Sequence, residues 1–127
     1  MKALQVARNG APADVLKINA VAVPTPGPGQ VLIQVSAASL NFNDIDRCDG
    51  RKVTVALPPP FTLGMDVCGI VTATGEGAAA WQGKRVVALT MMATGGLAEM
   101  AIASVDAVFE APASMTDAEA TAFMIPF

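Results

Sequence analysis

Val31, Ile33 and Val35 fall on one face of residues 30–36, so this stretch reads as a half-buried strand, the clearest in the chain. Residues 2–8 and 16–23 predict two earlier strands, the second with Leu16, Ile18 and Ala20 alternating with Lys17 and Asn19. Asn9-Gly10-Ala11-Pro12 is the turn between them, and Pro24-Thr25-Pro26-Gly27-Pro28-Gly29 allows only another turn. A short helix is expected over residues 43–49, stopped by Gly50. Pro58-Pro59-Pro60 then forms a stiff extended connector. Further strands are predicted at 66–75, 84–90, 97–103 and 107–110, with Gly75-Glu76-Gly77 turning the chain after the first. Thr116 and Glu119 make a capping box, so a helix should run from 117 to about 124 and bend or end at Pro126. Many short strands at close spacing, separated by Gly/Pro turns, predict a mainly β fold, either barrel or sandwich.

Composition narrows the classes. A chain of 127 residues is one domain by size and long enough to bury a core. Its net charge of −3, with no run of Lys or Arg, argues against nucleic acid or an acidic membrane as partner. The 53% hydrophobic content is inflated by 24 alanines, and no apolar run approaches the roughly 18 residues of a membrane span. Met1-Lys2-Ala3-Leu4-Gln5 is too polar to begin a secretory signal, which leaves the cytoplasm as the expected compartment. There Cys48 and Cys68 are expected as free thiols. Histidine and tyrosine are both absent. That removes the commonest acid–base side chain, the commonest metal ligand and the usual phenolic proton donor.

Three segments carry the chemistry. Phe61-Thr62-Leu63-Gly64-Met65-Asp66-Val67-Cys68-Gly69-Ile70-Val71 is an apolar strand interrupted by glycines and one carboxylate that looks buried. Ala37-Ala38-Ser39-Leu40-Asn41-Phe42-Asn43-Asp44 precedes it, and Gly83-Lys84-Arg85-Val86-Val87-Ala88-Leu89 follows. Together they resemble the GroES-like catalytic domain of the medium-chain dehydrogenase/reductase superfamily, most of all its zinc-free quinone and enoyl reductase branch. The resemblance covers nearly the whole chain. It implies a GroES-like, partly open β-barrel with short helices over residues 1–127. The Rossmann-type nucleotide-binding domain that follows in that family is expected to be missing, since no Gly-x-Gly-x-x-Gly occurs.

The same resemblance speaks to the site. In the zinc-bearing alcohol dehydrogenases a cysteine stands three residues before an aspartate, and a Gly-His-Glu follows downstream. Here those places hold Asn41, three before Asp44, and Gly64-Met65-Asp66. Amide and thioether are poor zinc ligands beside thiolate and imidazole. The cysteine-rich lobe of a structural zinc is replaced by Thr90-Met91-Met92-Ala93-Thr94-Gly95-Gly96. The expectation is no zinc.

Asn41 and Phe42 match the stretch that lines the nicotinamide end of the cleft, with Asn41 as the uncharged polar group at the reacting centre. Asn41 and Asn43 could equally cap the helix, and the reading is a cleft role for Asn41 and a capping role for Asn43. Asp44 is placed at the helix start, where backbone amides favour a carboxylate. Asp66 is expected to bond to backbone amides or a basic residue, because an unpaired buried carboxylate is costly. Met65, Asp66, Met91 and Met92 form the expected substrate pocket, with soft thioethers against a flat substrate, although for any single Met simple core filling is the stronger reading. Arg47 is a possible partner for a carboxylate or a phosphate, but a lone arginine is usually a solvated surface residue, and Trp81 reads as barrel packing.

The function so implied is NADP(H)-dependent, metal-free reduction of a quinone or an activated enone. The lack of tyrosine favours the quinone over the enoyl reading, since enoyl reductases of this family commonly use a tyrosine as proton donor. The rival is a stand-alone GroES-like binding or assembly module, since fold does not fix function. The apolar stretch Ala120-Thr121-Ala122-Phe123-Met124-Ile125-Pro126-Phe127 reads as cut within a longer chain, inactive alone and prone to homo-oligomerise through Phe123, Ile125 and Phe127.

Overall fold

The computed structural model describes residues 1–51, 57–90 and 94–125. Among them are eight strands and three short α-helices, the mainly β architecture expected. Strand β1 (Lys2–Val6) lies between β2 (Leu16–Ala20) and β4 (Phe61–Thr62) in a small antiparallel sheet. The larger sheet runs β7-β3-β5-β6-β8, from β7 (Met100–Ser104) through β3 (Gln30–Ala38), β5 (Asp66–Thr74) and β6 (Arg85–Leu89) to β8 (Val108–Glu110). Every pairing is antiparallel. Residues 97–99 tie the two sheets into a half-barrel: Leu4 N–H donates to Leu97 C=O, and Val35 N–H donates to Glu99 C=O.

The expected alternation fills the half-barrel. Val31 and Ile33 of β3, Val67 and Val71 of β5, and Val86 and Ala88 of β6 point into one core with Ala101 and Ala103. Its alanines 78, 88, 101 and 103 are fully buried, so the sheet curls tightly and the interior is solid. Gly69 lets the central strands approach: a Cβ there would lie 2.0 Å from Gln34 C=O. Beside it the β3–β5 register slips between Val35 and Ala37, a bulge that increases local twist.

Two boundaries differ from expectation for local reasons. Pro12–Val15 closes one helical turn, α1, where a plain turn was expected, because Pro at N1 presets helical φ. Helix α2 spans Phe42–Asp49, one residue earlier than predicted, and ends at Gly50 with φ 77°. Its N-cap is therefore Asn41, not Asn43, which sits in the first turn. Helix α3 (Asp117–Ala122) has the predicted capping box, with Thr116 N–H donating to Glu119 Oε2 at 2.8 Å. Arg85 of β6 fastens its first turn, with Nε 2.7 Å from Asp117 Oδ1 and Nη2 donating to Met115 C=O at 2.9 Å. Helix α3 thus folds back on its own sheet, where Ala120 packs with Cys68 and Val87. Phe123 is exposed and Ile125 half-buried, while Phe127 lies outside the described residues.

Candidate functional site

The β3–β5 register builds the site. Ala38 pairs with Val67, so one step further the chain places Ser39 beside Asp66, at the mouth of the half-barrel. Ser39 Oγ–H donates to Asp66 Oδ1 at 2.5 Å, and Asn41 Nδ2 donates to the same oxygen at 3.0 Å. Asp66 is fully buried. Of its expected partners, a backbone amide is present as its own N–H, and in place of a basic residue a hydroxyl and an amide come from the β3–α2 connection. The second oxygen, Oδ2, is buried without a hydrogen-bond partner.

Asp44 has the helix-start role expected of it. As residue N3 of α2 it turns Oδ2 back to accept Asn41 N–H at 2.9 Å. Asn41 therefore stands between two buried carboxyls, its backbone held by one and its side chain holding the other. Arg47 corrects the surface reading: it is 6% exposed, and its guanidinium lies 5.4 Å from the Phe61 ring centroid. Its Nε and Nη1 and Asp44 Oδ1 are also buried without partners. Among the described residues, the one buried orphan side-chain atom outside this cluster is Thr121 Oγ1.

Burial drives the electrostatics. It pushes the Asp66 carboxyl up; the Ser39 and Asn41 hydrogen bonds pull it back, and the nearby Asp44 charge adds to the rise. Asp44 is also raised by burial, against the opposing pull of Asn41 N–H, Arg47 and the Gly64 amide. Burial lowers Arg47, and Asp44 acts against it. Folded Asp66 and Asp44 thus keep protons that the unfolded chain releases. The stability they allow is full below the unfolded value near pH 4, and is lost as pH climbs through their raised folded values. Asp117 and Glu119, held down by hydrogen bonds, act in the opposite sense as pH falls. Comparing wild type with Asp66→Asn isolates the first effect. The urea midpoint of wild type relative to the variant should fall as pH rises from about 4 to neutrality. A pH-independent difference would mean that Asp66 ionises freely in the fold.

Beside Asn41 opens an apolar cleft of about 410 Å³. Buried Cys48 and Leu63 line it, together with Pro12, Leu16, Ile45 and the polar Asn41 and Asp44. Leu40 and Phe42, each 74% exposed, flank Asn41 at its edge. This size and apolar character suit a flat organic ring. Of the residues singled out in the sequence, Asn41 and Phe42 line the cleft, and Asp66 meets it through Asn41. Met65 is buried just ahead of β5 and does not line it. Met91 and Met92 lie outside the described residues. Leu40, the first residue of the stretch that resembles the cleft lining, and Cys48 line the cleft, while Ser39 joins the site only through Asp66, its one signal in the sequence being its place two residues before Asn41.

The residues do not suit zinc. The Asn41 amide is committed to Asp66, Met65 is a buried thioether, and both cysteines are buried free thiols. Among the described residues no group of three His, Cys, Asp or Glu gathers to hold a metal. No helix there is long and apolar enough to cross a membrane.

Residues 27–113 match the family model described as the alcohol dehydrogenase GroES-like domain. The quinone oxidoreductase of Lama guanicoe is 35% identical over 130 residues, covering 100% of this chain and 38% of its own length. Among solved structures, the human synaptic vesicle membrane protein VAT-1 homolog-like protein superposes with a TM-score of 0.90 at 30% identity, over 100% of this chain and 40% of its own. The quinone oxidoreductase of Thermus thermophilus, whose structures include a complex with NADPH, gives a TM-score of 0.81 at 34% identity, over 100% of this chain and 38% of its own. The chain thus spans about 38% of the length of the curated relative it matches.

Proposed function

Because the chain belongs to the alcohol dehydrogenase GroES-like domain family, in the quinone oxidoreductase-like branch of the medium-chain dehydrogenase/reductase superfamily, we propose that it is the N-terminal catalytic part of a zinc-independent, NADP(H)-dependent reductase of quinones or activated enones. The observation that carries this reading is Asn41. It is a neutral amide held by Asp66 at 3.0 Å, at the edge of an apolar cleft flanked by Leu40 and Phe42.

Bound dihydronicotinamide would supply the hydride. This chain supplies the surface against which it and the substrate lie. Leu40 and Phe42 offer apolar faces that exclude water from a flat ring. Asn41 offers hydrogen-bonding atoms without a charge or a nucleophile that could react with an electrophilic substrate. Its position is fixed twice, by α2 through its backbone and by Asp66 through its side chain, so little reorganisation accompanies binding. No Gly-x-Gly-x-x-Gly turn for a pyrophosphate occurs in residues 1–127, so these residues alone should not turn over.

The test is NADPH oxidation with a quinone and with an enone. It should be absent for residues 1–127 and present for a protein of the relatives' length that carries this domain. Robust turnover by residues 1–127 alone, or none in the longer protein, would remove the reading. Elemental analysis should find no stoichiometric zinc, and one tightly held ion per chain would contradict the donor chemistry of Asn41 and Met65. The reading includes a cytoplasmic setting, consistent with the two free thiols. It also includes self-association of this chain through the exposed face of α3 around Phe123. Sedimentation should show a dimer or larger species that Phe123→Asp disperses.

A further inference from the structure

We propose that Asp66 is a positioning residue that sets the Asn41 amide one way round, leaving one Asn41 N–H as the donor that holds the carbonyl oxygen of a flat ring in the cleft. As a statement about substrate this rests on the reductase reading above.

The hydrogen bonds decide the orientation. Asp66 Oδ1 receives two donors, Ser39 Oγ–H and Asn41 Nδ2 at 3.0 Å, so both of its lone pairs are used. An oxygen filled in this way only accepts. The end of the Asn41 amide that meets it is therefore the NH2 and not the C=O. Asp66 is fully buried at the start of β5, so the anchor belongs to the sheet and not to the exposed rim. The Asn41 backbone is held separately, its N–H donating to Asp44 Oδ2 at 2.9 Å. An NH2 group carries two hydrogens, and the Asp66 bond uses one. The second meets no acceptor among the described residues, while Asn41 is half-buried and lines the 410 Å³ cleft.

The rest of the lining makes that hydrogen matter. Apart from Asn41, the cleft is lined by apolar side chains, the buried Cys48 thiol and Asp44, which is an acceptor when ionised. Among the described lining residues a ring's carbonyl oxygen thus finds one strong donor, the Asn41 amide. Reduction gathers negative charge on that oxygen, and a donor already fixed needs no reorganisation to meet it. Without Asp66 the amide could turn over and set its own C=O against that of the ring, a repulsive pair.

Two measurements test this. In residues 1–127, proton–nitrogen NMR should show the Asn41 side-chain NH2 as two distinct protons, one displaced by the Asp66 bond. Indanone, a flat ketone that does not alkylate thiols, should shift the other proton; indane, which lacks the oxygen, should not. Asp66→Leu should weaken indanone binding several-fold, and Asp66→Asn, whose side-chain oxygen still accepts, should restore most of it. In the longer protein, Asp66→Leu should lower kcat/KM for the quinone by roughly tenfold or more, with KM for NADPH little changed. The double variant Asp66→Leu/Asn41→Ala should then be no worse than Asn41→Ala alone, since both changes remove one contact. If Asp66→Leu does not fold, the wild-type spectrum decides, because a freely rotating Asn41 NH2 means no fixed amide. The proposal is overturned by that result, by indanone leaving the second proton unmoved, by losses at the two positions that add, or by a rise confined to KM for NADPH. An indanone shift in a longer protein that reduces neither quinone nor enone keeps the Asn41 donor and removes the reductase reading. The spectrum and the kinetics therefore tell the two failures apart.

Discussion

Gly69→Ala is expected to cost the domain about 3 kcal/mol or more, enough to abolish cooperative folding in a marginally stable domain of this size. Gly69 lies in β5, the middle strand of the five, paired with Val35 on one side and Val86 on the other. A methyl there would stand 2.0 Å from Gln34 C=O and 2.8 Å from Ile33 Cγ2. The first contact is with backbone, so no rotamer change relieves it, and β3 would have to leave its bonds to β5. Gly77→Ala makes the comparison sharp. A Cβ at Gly77 meets nothing within 4 Å, and the strain there is only that of φ +80°, worth about 1 kcal/mol. Urea midpoints of the two variants should separate clearly. Equal losses would show that the strands can spread, and that space at Gly69 is not what the sheet requires.

The second large effect concerns turnover. In the longer protein, Asn41→Ala should lower kcat/KM by roughly ten- to a hundredfold, the range set by losing a hydrogen bond of about 1.5–3 kcal/mol to a charged or polarised group. The domain should survive the change. The N-cap is still closed by Asp44 accepting the backbone N–H of residue 41, and an alanine cap costs about 1 kcal/mol. Asp66 would lose one of its two side-chain donors, so its carboxyl should rise further. Infrared titration of the folded variant should therefore show the Asp66 carboxyl ionising at higher pH than in wild type, which a mere packing defect would not do. Unchanged kinetics in a folded Asn41→Ala protein would take Asn41 out of the site.

How much of this could be read from the sequence follows from the range of each interaction. The β3 and β5 strands announce themselves through Val31, Ile33, Val67 and Val71, because alternation is a local property of a half-buried strand. The Thr116–Glu119 box is legible for the same reason, since both halves lie within one helical turn. The Ser39–Asp66 contact is not local. It needs the β3–β5 register and the slips within it, and a slip of one residue would turn Ser39 away. Asn41, rather than Asn43, is the cap because Asp44 lies three residues beyond it, a box pattern present in the sequence but overshadowed there by the cleft role. Arg47 reads as a surface residue because one arginine on an eight-residue helix is ordinarily solvated. Only the approach of Phe61, from a strand fourteen residues on, makes its buried place visible.

The small side chains inside the half-barrel set where such a domain can diversify. With Ala78, Ala88, Ala101 and Ala103 fully enclosed, nearly any enlargement there collides with the facing strand, at about 1–3 kcal/mol per added group. Inherited change is then confined to the rim, where Leu40, Phe42 and Ile45 stand in solvent and tolerate replacement at little thermodynamic penalty. New chemical preferences can accumulate at that edge over evolutionary time while the interior stays nearly fixed, and a mutational library aimed at altered selectivity should be drawn from the edge alone.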